Sequence, residues 1–296
     1  MMYRVRHLTA YSYDTPVASA TLALRVTPRD SAEQRTLAHK VDVSPAPASV
    51  EFERDFFGNA VNVVTIEESH TELSIDATAE VEVSYGAPPA GPGTAWEEVA
   101  DLALHGHDMS PQAPAHFMFA SPRIQLSTDV TRYAQQSFSA GRGIIEAARD
   151  LMTRIKREFA YEPESTEIWT PLQQAFTARR GVCQDFAHIM IAGLRGLGVP
   201  AAYVSGYLRT VPPPGKERLE GADATHAWVS VWCGPEHGWL GFDPTNAIDT
   251  GNDHIALAIG RDFSDVSPVY GVFVGSGANE LRVEVDVIPL PRGKAA

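Results

Sequence analysis

The stretch RRGVCQDFAHIMIAGLRGLGVPAAYVSGYL, residues 179–208, carries one of only two cysteines in a chain of 296 residues. Cys183 stands where a long apolar helix begins, and a strand, PAAYVSGYLR, follows that helix. A sulfur in the first turn of a helix meets unpaired backbone N–H groups and the positive end of the macrodipole, and both favour thiolate over thiol. Arg179 and Arg180 add positive charge nearby, whereas Asp185 would oppose the effect if it faced the sulfur. The competing reading is that a lone cysteine on an apolar helix is a small hydrophobe. Residues elsewhere in the chain decide between the two.

Upstream, from residue 3 to about 85, short segments such as YRVRHLTAYSY, ATLALRVTP, VNVVTIEE and ELSIDATAEVEVSY alternate apolar with polar residues, the period of half-buried antiparallel strands. Gly58 and Asn59 in FFGNAV suit positive φ and a hairpin turn. GAPPAGPGTA, residues 86–95, is too rich in proline and glycine for either regular element and sets a boundary. The chain therefore divides into a β-sandwich or small barrel over 1–88 and a second domain over 89–296. Beyond the boundary the period becomes helical: AWEEVADLAL, TDVTRYAQQSF and GIIEAARDLMTRIKREFAYEP, the last with Ile145, Ala148, Met152, Ile155 and Phe159 on one face. THAWVSVW and GWLGF follow as paired strands, and PVYGVFVGSGANELRVEVDVIPL is expected to form a terminal hairpin. The fold class is α+β: antiparallel strands first, then a helical layer against an antiparallel sheet.

The formal charge of −13 gives no footprint for nucleic acid or an anionic membrane. The start, MMYRVRHLTAYSYD, is too polar for a secretory leader and no segment approaches a membrane-spanning length, so the cytoplasm is the expected compartment, with Cys183 and Cys233 as free thiols. Ligand spacing around the cysteines supports no structural zinc, and no metal or other cofactor is expected. DPTNAIDTGNDH lacks the EF-hand pattern and reads as a solvated loop.

A thiolate nucleophile needs a histidine as its ion-pair partner and a carboxylate or amide to orient that histidine. His226 begins one strand and Asp243 ends the next, so antiparallel pairing can bring the two together. The segments GVCQDFAHIMIAGLRGLGVPAAYVSGYL, HAWVSVW and GWLGFDPTN, in that order, resemble the transglutaminase-like superfamily of papain-related cysteine enzymes. The N-terminal half, from YRVRHLTAYSYDTPV through LRVTPR to DFFGN, resembles the β-domain that precedes the catalytic domain in bacterial members. The resemblance implies a papain-like catalytic domain with Cys183, His226 and Asp243 as nucleophile, base and orienting residue. It also implies acyl transfer through a thioester, a peptide or amide substrate, and a functional link to ATP-dependent ligase-like proteins.

Tyr207, Trp228 and Trp169 are candidate substrate contacts, each weighed against simple packing. His188, five residues beyond Cys183, faces away from the thiol, and Asp185 serves the helix N-terminus. The Cys183 N–H is the expected oxyanion donor. The N-terminal domain is expected to shape one wall of the cleft or recruit substrate, and loop 209–224 to act as a lid. Amide or peptide hydrolysis leads, transfer to an amine comes second, and a non-catalytic binding protein on the same fold third.

Overall fold

The structure is a computed structural model, and it describes residues 1–210 and 224–291. Six strands come first: β1 (Met2–Val17), β2 (Ser19–Leu24), β3 (Gln34–Ser44), β4 (Ser49–Arg54), β5 (Ala60–Ile66) and β6 (His70–Val83). The helical part contains α1 (Trp96–Leu104), α2 (Thr128–Gln135), α3 (Ile144–Glu158), β7 (Ala160–Tyr161), α4 (Leu172–Ala178), β8 (Arg180–Gly181) and α5 (Cys183–Gly196). The remainder is β9 (Ala201–Leu208), β10 (Ala224–Trp232), β11 (Trp239–Asp243), β12 (Ile248–Asp249), β13 (His254–Gly260), α6 (Phe263–Val266), β14 (Val269–Val274) and β15 (Asn279–Leu290).

Two four-stranded sheets, in the orders β15-β1-β6-β3 and β14-β2-β5-β4, pack through Leu22, Leu24, Val64, Ile66, Leu73 and Ile75. Alternation along β6 explains this, because Leu73, Ile75, Ala77, Ala79, Val81 and Val83 all point inward. The Gly58 turn joins β4 to β5 with φ of 78°, while Asn59 does not take positive φ and is buried. The expected terminal hairpin does not form. β14 pairs with β2 and β15 with β1, so the C-terminal tail supplies one edge strand to each sheet of the N-terminal sandwich. The GSG turn and the alternation were real, but each strand meets an open sheet edge built by the start of the chain.

The third sheet, β12-β11-β10-β9-β13, carries the helical layer. Tyr203, Ala227, Val229, Val231 and Phe242 share a core with Phe186, Ile189, Met190 and Leu194 of α5 and with the expected face of α3. Buried Arg195 fixes the far end of α5. Its guanidinium donates to the carbonyls of Ala201, Phe119 and Arg261 at 2.6–3.0 Å, satisfying a charge that would otherwise be costly to bury.

The sandwich covers the edge of this sheet with side chains. Gln34 exchanges two 2.8 Å hydrogen bonds with the backbone of Ala256, and Asn59 exchanges bonds of 2.8 and 2.9 Å with that of Ile259. Both amides imitate a neighbouring strand for β13, which leaves that edge closed to foreign pairing. Tyr207 joins Tyr3, Val5 and Val285 in the core between sheet and sandwich, and its hydroxyl bonds His7 Nδ1 at 2.9 Å. Burial pulls the His7 imidazole down to about 4, partly countered by the charge of Asp76. The lid expected over loop 209–224 falls mainly on residues 211–223, outside the described residues.

Replacing Asn59 by alanine strips the partly buried Ile259 N–H and C=O of their side-chain partners. A loss of about 2–4 kcal/mol in denaturant unfolding is expected, at the scale of two unsatisfied polar groups.

Candidate active site

Cys183 is the first residue of α5 and is partly buried. The helix's first backbone bond runs from Phe186 N–H to Val182 C=O, so the amides of Cys183, Gln184 and Asp185 precede the intrahelical ladder. Asp185 braces this end: its Oδ2 accepts from Val182 N–H at 2.9 Å and from Thr166 Oγ1 at 2.7 Å. Val182 has no side-chain acceptor to reciprocate, so only half of a capping box is present. A Cβ on Gly181 would stand 2.5 Å from that same Asp185 oxygen, which explains the glycine. Burial raises the Asp185 carboxyl above its ordinary range, and the two hydrogen bonds act against it.

The β10–β11 register pairs Val229 with Phe242, and continued by one residue it sets Asp243 opposite Trp228. His226 is then its diagonal neighbour on the same face. His226 Nε2 lies 2.8 Å from Asp243 Oδ2 and 3.5 Å from Asn246 Nδ2, and the Cys183 thiol is a further side-chain partner of the ring. Burial alone would pull the imidazole down. Hydrogen bonds and charge from Asp243 and Cys183 outweigh it and push the value up to about 10.

Asp243 has no exposed surface. Burial pushes its carboxyl up, but bonds with His226, His254 and Asn246 hold it well below the usual carboxylate range. Oδ1 accepts the amides of Thr245 and Asn246 at 2.9 and 3.2 Å, and Oδ2 accepts Asn246 Nδ2 at 2.7 Å. His254 Nδ1 accepts from Gly251 N–H at 3.3 Å, so the proton sits on Nε2, directed at Asp243 Oδ2 from 3.4 Å.

Sequence reasoning missed His254, Asn246 and Tyr161. His254 belongs to another strand eleven residues on, and only the β13–β9–β10 order brings it in. Asn246 was available in the DPTN segment, where an aspartate at a strand end followed by turn residues signals an Asx turn; the segment is partly folded onto Asp243 instead of being a solvated loop. Tyr161 pairs with Gly181 across the parallel β7–β8 bridge and lies near enough to feel the charge of Cys183.

The expected substrate contacts separate. Tyr207 is 1% exposed and bonded to His7, so it is core and not a surface for substrate. Trp228 is equally buried, its ring centroid 5.2 Å from that of His254 and 6.1 Å from that of His226. A Cβ on Gly206 would lie 2.5 Å from its ring, so this glycine makes room for the indole. Trp228 underlies the imidazoles and borders a cavity of about 450 Å³ between sheet and sandwich. Trp169 is 71% exposed beneath the Arg123 guanidinium, in a loop that folds back onto α5 through Ile168 C=O and Gln184 Nε2. His188 is buried against Tyr203 and accepts from Phe263 N–H, a structural role.

A smaller cavity of about 260 Å³ opens on His226 and is lined also by Lys156, Tyr161, Leu208, Thr210, Thr225, Thr245 and Asn246. Sandwich residues are not among its lining, so the wall expected from the N-terminal half is not found there among the described residues. His226, Asp243 and His254 offer three ligand-type atoms within 4.8 Å of one another, the described residues' one cluster of this kind. Each of those atoms is engaged in the hydrogen-bond network described above.

Comparison with known proteins accords with this geometry. Residues 3–82 match the bacterial transglutaminase-like N-terminal region, and residues 126–244 match the transglutaminase-like superfamily. An uncharacterized protein of Mycobacterium tuberculosis, Rv2569c, is 40% identical over 97% of this chain and 92% of its own length. The chain belongs to the transglutaminase-like superfamily. A Mycobacterium leprae relative, ML0607, is 30% identical over 97% of this chain and 98% of its own length. The protein-glutamine gamma-glutamyltransferase of Pseudomonas aeruginosa is 32% identical over 145 residues, 46% of this chain and 20% of that protein. In fold, the chain is similar to a Cytophaga hutchinsonii protein solved under the name "Putative Cysteine Protease", with a TM-score of 0.76, 22% identity, and coverage of 99% of this chain and 92% of that one. Among the described residues no helix is long and apolar enough to cross a membrane.

The two thiols differ sharply. Cys233 has no exposed surface, and burial pushes its thiol up to about 12. Peptide mapping after brief iodoacetamide treatment at neutral pH is expected to recover the label on Cys183 and almost none on Cys233 until the protein is unfolded.

Proposed function

We propose that this chain is a cysteine-dependent amide or peptide hydrolase working through a thioester on Cys183, with His226 as acid–base and Asp243 as its orienting carboxylate. The observation that carries the reading is the 2.8 Å contact of His226 Nε2 with buried Asp243, on a ring that also has the Cys183 thiol as a side-chain partner. An imidazolium stabilised by two anions is the partner a thiolate needs.

The steps balance as follows. The Cys183 thiolate attacks the amide carbonyl, and the tetrahedral oxyanion takes the N–H of Cys183 at the helix start. Collapse breaks the C–N bond while His226 gives its proton to the leaving amine. Neutral His226 then takes a proton from water, the water oxygen attacks the thioester, and departure of the sulfur restores the thiolate–imidazolium pair. Asp243 holds the ring in place throughout and takes no proton.

Transfer to an amine is the second reading. It is favoured by the 145-residue stretch that is 32% identical to the Pseudomonas aeruginosa glutamyltransferase, and it differs only in the nucleophile that enters after the amine leaves. Hydrolysis is preferred because Cys183 is partly exposed, which gives water access to the thioester. A binding protein that has lost catalysis would be expected to lack a member of the trio, and all three residues are present.

Cys183→Ala should reduce turnover of a glutaminyl peptide to background with an unchanged unfolding curve, and Asp243→Ala should lower kcat by about 10²–10⁴. Because His226 is raised, its proton is held through neutrality and lost as pH rises through about 10; the rate should fall over that upper limb. Product analysis with and without a primary amine separates the readings: free acid supports hydrolysis, and amine-dependent cross-link with little acid contradicts it. A fully active Cys183→Ala protein would end the enzyme reading altogether.

A further inference from the structure

The cavity that opens on His226 has a composition at odds with the chain. The whole protein carries a formal charge of −13, yet among the described residues no carboxylate lines this cavity. The charged groups that the described residues bring to it are the Lys156 ammonium and His226. Among the described residues Lys156 forms no ion pair, whereas its neighbour Arg157 is paired with Glu158 at 2.8 Å. The rest of the lining is rich in hydrogen-bonding groups: the hydroxyls of Tyr161, Thr210, Thr225 and Thr245, and the amide of Asn246. Thr245 is 7% exposed, and its hydroxyl is buried without a partner among the described residues. A buried hydroxyl left open, in the same cavity as an exposed ammonium without an ion-pair partner, is a donor set that a ligand oxygen completes.

Local structure accounts for the placement. Lys156 is in the last turn of α3, where a cation is stabilised by the helix C-terminus, and the chain runs from there directly into β7 and Tyr161. One turn of helix and one bridge thus bring an ammonium and a phenol to the cavity that holds the imidazole. Helix stabilisation alone would explain a cation at this position, but Arg157 supplies that equally well from outside the cavity.

We propose that Lys156 forms a carboxylate subsite, making the site selective for acyl donors that carry a free carboxylate close to the scissile amide. This rests on the thiol chemistry of Cys183 proposed above and adds the substrate class to it. The carboxylate sits against the ammonium, takes a hydrogen bond from the unpartnered Thr245 hydroxyl, and leaves the carbonyl turned to Cys183 and His226. A single ammonium in a cavity of about 260 Å³ suits a monoanion with the bulk of an amino acid.

Two small alkylating agents test the subsite without knowledge of the natural substrate. Iodoacetate carries the carboxylate and iodoacetamide does not; each forms an S–C bond with the Cys183 thiolate and releases iodide. The readout is the ratio of their second-order rate constants at Cys183 at low salt. Lys156→Gln should lower that ratio about five- to tenfold, Lys156→Glu should lower it further, and Lys156→Arg should preserve it. Arg157→Gln, one position away, should leave it unchanged, and the wild-type ratio should shrink at high salt. Circular dichroism and thermal unfolding confirm that each variant is folded. Brisk alkylation of Cys183 with a ratio unmoved by Lys156→Gln overturns the subsite alone. A Cys183 inert to both reagents overturns the thiol chemistry and the subsite with it.

Discussion

A carboxylate with no contact with water is the constraint on which this molecule's site depends. Removing an ion of this kind from solvent costs several kcal/mol unless every lone pair is occupied. Asp243 meets that condition with two backbone amides on Oδ1 and, on Oδ2, the Asn246 amide with the His226 and His254 rings. The donors come from β10, from the turn after β11 and from β13, so the carboxylate cannot be satisfied until the sheet is assembled. His226 is thereby oriented by the same interactions that stabilise the fold, and little freedom remains for its ring.

The position of Cys183, the proposed nucleophile, is fixed independently. Asp185 ties the first turn of α5 to Thr166, and Arg195 ties the last turn to β9 and to the segments before and after it. A helix anchored at both ends delivers its first residue with small error, as the proposed catalytic pair requires. The sandwich contributes at a distance. Through Gln34 and Asn59 it closes the edge of β13, the strand that begins with His254.

Much of this was legible in the sequence. Period-two alternation gave the strands, a switch to helical spacing gave the helical layer, and residue chemistry and order singled out Cys183, His226 and Asp243 as candidates, of which His226 and Asp243 meet at 2.8 Å. What failed depended on contacts between distant segments. The tail after residue 269 carries the pattern of a hairpin, and nothing local says that β14 and β15 will each find a different sheet built by the first 83 residues. Tyr207 ends a strand near the site, but its side chain faces the sandwich, because alternation along a strand fixes only that neighbours point oppositely, not which face meets substrate. His254 is invisible for a similar reason: it needs the strand order, which pattern does not specify. Gly206 and Gly181 carried a weaker signal, since a glycine within a strand or before a helix often marks close approach by another group.

The central claim is that Asp243 and Cys183 together hold His226 as an imidazolium, and NMR of the ring measures this directly. A pH titration of the His226 ring nitrogens, assigned by comparison with His226→Gln, should show a protonated ring from neutrality up to a midpoint near 10, with Cys183→Ser bringing that midpoint down. A wild-type midpoint near 6.5, unmoved by Cys183→Ser, would contradict the account.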